Sequence, residues 1–249
     1  MSGAYAPDAA RRAASRVRSS RSDPDRVRLE GIHAVKHAVR FGADIEVLVT
    51  TDPDAVAALL DDLAPDVTDV VLARTTVLDA TTWASLVPRA LPSPLLGVAA
   101  RPNRSVDDVL AGDGPVIVLE GPRHLGNLGA AIRGAAAAGA GGLLVLGDAD
   151  PWHPTAVRGS AGLGFALPVA ATDALPPTDR PILALDADGE PLQPGTLPAE
   201  GVLLVGTERG GLTATARARA TRCLAIEMRP GVSSLNLATA VTVALYLGR

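Results

Sequence analysis

Val116-Ile117-Val118-Leu119-Glu120-Gly121-Pro122 leads within a few residues into Asn127-Leu128-Gly129-Ala130-Ala131-Ile132-Arg133, and this passage decides how the second half of the chain folds. Four consecutive apolar residues with no polar alternation predict a strand buried on both faces. Gly121-Pro122 ends it. Leu128 to Ala140 is then almost all Ala and Gly, the composition of a helix that packs closely against a neighbour, and Asn127 is placed to cap it. The same short apolar runs recur at Gly142 to Leu146, Ile182 to Leu185, Val202 to Val205 and Cys223 to Ile226, separated by helical or glycine-rich segments. That alternation predicts an α/β domain built on a parallel sheet.

Ahead of it, Glu30 to Val39 has apolar residues at helical spacing and Ile45 to Val49 alternates like a strand. Thr51-Asp52-Pro53-Asp54 supplies a cap and a first-turn proline for a helix over Ala55 to Leu63. Val67 to Leu72 reads as a further strand, with a short helical piece near Val77 and a strand over Leu95 to Ala99. These make a small α/β domain over residues 26–104. Arg101-Pro102-Asn103-Arg104-Ser105 is the hinge, and the second domain takes residues 105–249.

Residues 1–25 are rich in Arg, Ser and Ala and read as a flexible basic arm, with an organelle transit peptide as the other possibility. Residues 1–26 carry six arginines against three aspartates, although the 249-residue chain has a formal net charge of −4. A polyanion would therefore meet a local basic patch and not a uniformly basic body. Aromatic residues make up only 2% of the chain, which argues against reading RNA by rows of stacked aromatics. Cys223 is the single cysteine, so disulfides and cysteine zinc sites are excluded and a reducing cytoplasm fits. No apolar run approaches the roughly 20 residues a membrane span needs, so no membrane role is implied.

Two more segments carry chemistry. Val205-Gly206-Thr207-Glu208-Arg209-Gly210-Gly211-Leu212 follows a strand, where glycines let a ligand approach the backbone and where α/β sheets hold their ligands. Pro230-Gly231-Val232-Ser233-Ser234-Leu235-Asn236-Leu237 opens a helix in which Leu235 to Leu247 has no charge, so that helix is buried in the domain or in a dimer. Ser234 is positioned to cap it, leaving Asn236 to point into a pocket. Arg133 is a lone cation on an apolar helix, for which a structural ion pair is the competing explanation.

In this order the three segments resemble the motifs of the SpoU (TrmH-like) ribose methyltransferases of the SPOUT superfamily. The resemblance implies a trefoil-knotted domain, which general fold rules would not suggest, binding S-adenosyl-L-methionine and acting as a homodimer on a ribose 2′-hydroxyl of RNA. Asn127 and Arg133 match the first-motif Asn and Arg, Glu208 the second-motif Glu, and Ser234 with Asn236 the third-motif pair. Gly206, Ile226 and Leu235, with Met228 on the same loop, fall where the family holds the methyl donor. Where members commonly have Asp-Pro before the first-motif Asn, this chain has His124-Leu125-Gly126. Leu29 to Val35, Ile45 to Val49 and Leu95 to Ala99 resemble the L30e-like domain that precedes the catalytic domain of rRNA-modifying members, which favours rRNA, 23S above all, over tRNA.

The resemblance assigns Arg133 to the reacting hydroxyl. A guanidinium stays protonated, so its implied task is to stabilise a developing alkoxide and anchor a phosphate. No metal is implied. Lys36 is the only lysine and lacks a P-loop context, and Gly121 to Gly129 lacks the dinucleotide-binding glycine spacing. His33 and His37 sit four apart without the glutamate of a helical zinc motif. The rival of another class is a non-catalytic RNA-binding or ribosome-assembly protein with the same fold.

Overall fold

A computed structural model describes residues 7–207 and 210–248. The chain divides into two compact units, Met1–Pro102 and Asn103–Arg249.

The first unit contains α1 (Pro7–Ser19), β1 (Arg26–Glu30), α2 (Ile32–Arg40), β2 (Ile45–Thr50), α3 (Pro53–Leu63), α4 (Thr68–Arg74), β3 (Thr75–Val77), α5 (Ala80–Leu86) and β4 (Leu95–Ala100). Its sheet runs β1-β4-β2-β3, with β4 antiparallel to both neighbours and β3 parallel to β2. Asp52 caps α3 as its position suggests, accepting from the Ala55 amide at 2.9 Å.

Two expectations fail in this unit. Residues 7–19 are not a flexible arm: Ala10, Ala13, Ala14 and Val17 fall at helical spacing and are buried against Val49, Leu78, Leu86, Leu96 and Val98. Arg28 donates to the Val17 carbonyl at 3.2 Å, and Arg16 pairs with Glu46 at 3.0 Å, so polar contacts tie the helix down as well. The first six residues lie outside the described region. The strand expected over Val67 to Leu72 is helical, because Val67 and Val71, four apart, face the core while Val70 is 48% exposed. The strand comes after it, at Thr75–Val77.

The second unit follows the expected alternation: α6 (Val106–Leu110), β5 (Val116–Glu120), α7 (Leu125–Ala137), β6 (Gly142–Leu146), α8 (Pro154–Gly159), β7 (Val169–Thr172), β8 (Ile182–Pro191), β9 (Val202–Val205), α9 (Ala214–Ala218), β10 (Arg222–Ala225) and α10 (Leu237–Gly248). All six strands pair in parallel in the order β10-β8-β9-β5-β6-β7. β5 and β9 pair although far apart in sequence, since the chain winds outward from β5 through β6 and β7 and then crosses to the other side. Open α/β sheets bind ligands where the winding reverses.

Val116, Val118, Leu144, Val202 and Leu204 fill one face of this sheet together with Val109 of α6. Leu119, Leu128, Leu143 and Leu144 are fully buried, each contributing about 1.5–3 kcal/mol. The small side chains of α7 have a visible purpose. A Cβ added to Gly129 would lie 2.2 Å from the Ala156 carbonyl oxygen, so α8 approaches α7 to a distance that only glycine allows. On another side α10 packs against α7, and the Tyr246 hydroxyl donates to the Ala137 carbonyl at 3.0 Å. Among the described residues no helix is long and apolar enough to cross a membrane.

Candidate active site

β9 ends at Val205, and the chain turns sharply at Gly206. A Cβ there would stand 2.1 Å from the Gly211 carbonyl carbon, so no other residue fits without moving the loop. The Thr207 and Gly211 amides each donate to the other's carbonyl at 3.1 Å, and the Gly210 amide donates to the Thr207 hydroxyl at 3.0 Å. These bonds draw Gly210 and Gly211 against Thr207, just past the carboxyl end of β9. Glu208 lies outside the described residues.

A second wall comes from a break in β8. Ala184 pairs with Cys223, but the next residue of β10, Leu224, pairs with Glu190, so the segment between Ala184 and Glu190 loops out of the ladder. It carries Asp186, whose carboxylate accepts from Arg217 at 2.8 Å and from the Asp188 amide at 3.0 Å. Arg217 is itself positioned from β5. The Glu120 carboxylate accepts from the Thr213 amide at 2.8 Å and hydroxyl at 2.7 Å, and Thr213 caps the helix that bears Arg217. Asp186, Asp188 and Arg217 were not among the site residues expected from the sequence. The signal present was an acidic, glycine-ended stretch, Asp186-Ala187-Asp188-Gly189, at the carboxyl end of a buried strand.

The segment after β10 supplies the third wall. Ile226, Met228, Ser233, Ser234 and Leu235 join Gly206, Thr207, Leu185, Val205, Asp186 and the first turn of α10 around one cavity of about 520 Å³. This is the size of a small-molecule site. Apolar side chains from three strand ends meet a few hydroxyls, the carboxylates of Asp186 and Asp188, the Arg217 guanidinium and glycine main chain, an arrangement that can hold a small ligand with both apolar and polar edges. Gly206, Ile226, Met228, Leu235 and Ser234 are thus brought together.

Asn127, Asn236 and Arg133 are not in that lining. Asn236 Nδ2 donates to Asn127 Oδ1 at 3.0 Å, joining the start of α7 to the start of α10. Both capping expectations need correction here. α7 begins at Leu125, so Asn127 is inside its first turn and its side chain bonds Asn236 rather than serving as the cap. α10 begins at Leu237, and Asn236, not Ser234, accepts from the Ala238 and Thr239 amides at 3.0 and 3.4 Å. Its oxygen faces the helix and its nitrogen faces Asn127, so one side chain serves both. Arg133 is exposed on α7, and among the described residues it makes no hydrogen bond or ion pair.

Residues 114–246 match the model of the SpoU rRNA Methylase family. The chain is 33% identical over 144 residues to the 23S rRNA (uridine(2479)-2'-O)-methyltransferase of Streptomyces viridochromogenes, covering 52% of this chain and 50% of that protein. It is 26% identical over 246 residues to the 23S rRNA (adenosine(1067)-2'-O)-methyltransferase of Streptomyces azureus, covering 92% and 88%. Several curated relatives are longer: the chain spans 52% and 58% of two of them and 24% of another. In fold it is similar to the SpoU methyltransferase AviRb of Streptomyces viridochromogenes in complex with the cofactor AdoMet, with TM-score 0.71, 23% identity and coverage of 94% and 95%.

Proposed function

The chain belongs to the SpoU rRNA methylase family, and we propose that it transfers a methyl group from S-adenosylmethionine to a ribose 2′-hydroxyl of RNA. The observation that carries this is the cavity at the ends of β8, β9 and β10, which gathers Gly206, Ile226, Met228 and Leu235 from segments spread over thirty residues. The donor fits it on two counts. Gly206, Gly210 and Gly211 put main chain without side chains into the lining, and apolar side chains beside hydroxyls and carboxylates suit a nucleoside that carries a cationic sulfur.

S-adenosylmethionine supplies a methyl group already activated on a cationic sulfur. The protein has to hold it in line with the attacking oxygen, which can supply much of the acceleration. In this proposal the main chain at Gly206, Ile226 and Leu235 and the side chain of Met228 hold the donor. Ser234 and Glu208 orient the donor and the nucleotide, and the Asn127–Asn236 bond fixes the third loop against α7. As the oxygen–methyl bond forms and the sulfur–methyl bond breaks to leave S-adenosylhomocysteine, the hydroxyl's proton passes to solvent water, and Arg133 stabilises the developing alkoxide and anchors the neighbouring phosphate. Because it faces solvent on α7, the RNA must come to that face.

The target class we infer is rRNA, 23S rRNA in particular, from the two relatives named for it and from the first unit, proposed to be an L30e-like RNA-binding domain. We further propose a trefoil knot and a homodimer. Likeness to the SpoU fold supports the knot, and the exposed Val232, Tyr246 and Leu247 at the C-terminal helix and the loop before it support the dimer. The proposed compartment is the cytoplasm.

Mapping ribose methylation in rRNA and tRNA from cells with and without the gene tests the reading. One 2′-O-methyl group in 23S rRNA that disappears with the gene supports it. A lost methyl in tRNA redirects the substrate, and no change in either, with no calorimetric binding of S-adenosylmethionine, favours a non-catalytic RNA-binding protein.

A further inference from the structure

In a chain of net charge −4, the ordered helix α1 is locally basic, with four arginines against one aspartate. α1 buries Ala10, Ala13, Ala14 and Val17 and turns Arg11, Arg12, Ser15, Arg16, Arg18 and Ser19 to solvent. Arg16 is partly neutralised by Glu46, but Arg12 and Arg18 have no ion pair among the described residues, and Arg11 meets only the exposed Asp8 at 3.7 Å. A surface pair at that distance is worth about 0–1 kcal/mol and is readily exchanged for another anion. The helix is anchored to the sheet of the first unit, so the arginines form a preordered array rather than a mobile tail. Arg11 and Arg18 lie two turns apart on the same side, about 10 Å by the helical rise, and Arg12 lies about a quarter turn round from them.

We propose that the solvent face of α1 is a docking surface for the phosphate backbone of RNA, with Arg11, Arg12 and Arg18 as its contacts. The inference rests on the RNA reading above and adds the surface that captures the substrate. An anionic bilayer is the competing occupant. The described solvent face of α1 has no large apolar side chain to insert, because its apolar residues are committed to the core. Backbone contacts of this kind carry no sequence information. They set affinity, on-rate and register, leaving the choice of nucleotide to other surfaces.

The test uses the full chain, a fluorescein-labelled RNA hairpin of mixed sequence, and anisotropy across a salt series. Loss of three phosphate contacts lowers the slope of log affinity against log salt by about 2.1–2.7, so the wild type loses about 18- to 42-fold more affinity than Arg11→Ala/Arg12→Ala/Arg18→Ala between 50 and 200 mM salt. The triple lysine variant restores most of the slope, and far-ultraviolet circular dichroism and melting curves are unchanged in both variants, which shows that they fold. A triple alanine variant with wild-type slope and affinity overturns the inference while leaving the enzyme reading intact. Loss of binding to phosphatidylglycerol vesicles without loss of RNA binding also overturns it. Failure of the wild type to bind either the hairpin or purified rRNA overturns this inference and the RNA reading together.

Discussion

Gly206→Ala places a methyl group where the structure has backbone. The added Cβ would lie 2.1 Å from the Gly211 carbonyl carbon and 2.3 Å from both its oxygen and the Leu212 nitrogen, so these atoms must retreat by about 0.9 Å to reach the shortest tolerated contact, 3.0 Å. The retreat strains the two bonds between Thr207 and Gly211, each 3.1 Å. At about 0.5–1.5 kcal/mol per bond the cost is about 1–3 kcal/mol. If the loop moves, that cost falls on the proposed donor site, and affinity for S-adenosylmethionine drops about 5- to 140-fold. If it stays, the cost falls on the second unit, whose melting temperature drops by about 2–12 °C. Isothermal calorimetry and a melting curve on one preparation read both quantities. Gly126→Ala is the control, because its added Cβ meets nothing within 4 Å. Unchanged affinity together with unchanged melting refutes the claim that this turn is built for close approach.

Asn236→Ala removes the cap of α10 and the partner of Asn127 at once, and stability falls by about 0.5–2 kcal/mol. A double-mutant cycle with Asn127→Ala gives a coupling of about 0.5–1.5 kcal/mol in denaturant unfolding, whereas strictly additive values mean the bond contributes nothing. Arg133→Ala slows methyl transfer by about 100- to 1,000-fold while donor affinity stays within about twofold; equal loss of both would mean that Arg133 shapes the donor pocket instead. Acid should destabilise both units through their caps. Amide hydrogen bonds, from Thr82 to Asp79 and from Ser105 to Asp108, hold these carboxyls below the usual range. Their contribution is present above the unfolded value and lost as pH falls through the lower folded one, so melting temperature declines below about pH 4 and declines less in Asp79→Asn/Asp108→Asn. Parallel acid slopes for the two proteins would assign acid sensitivity to other groups.

Much of the second unit was legible because its strands are buried on both faces, which leaves a mark in the sequence that needs no partner to interpret. Val116 to Leu119 and Val202 to Val205 are continuous apolar runs and lie side by side as parallel strands. β7 escaped because Val169-Ala170-Ala171-Thr172 is short and half alanine, a composition that favours no strand by itself. α1 was misread for a related reason. Its buried positions are mostly alanines, so helical spacing was present but the apolar contrast was faint against the arginines. The cavity could be anticipated from Gly206 and from the loop after β10, since each stands at a strand end. Asp186 could not be placed in it, because the residue reaches the cavity only through a break in register between β8 and β10. The bond between Asn127 and Asn236 likewise joins residues 109 apart, and only the packing of α10 on α7 brings them together. Capping preference named serine for α10, but the backbone reached helical geometry three residues later and the asparagine took the role.

Incubation of the purified chain with 23S rRNA and S-adenosylmethionine bearing a deuterated methyl group, followed by digestion to nucleosides and mass spectrometry, asks whether the cavity and Arg133 do what is proposed. The expected product is one 2′-O-methylnucleoside carrying the label, absent with Arg133→Ala although that variant still binds the donor. Label on a base, or no labelled nucleoside from rRNA or tRNA, would mean that this cavity does not serve ribose methylation.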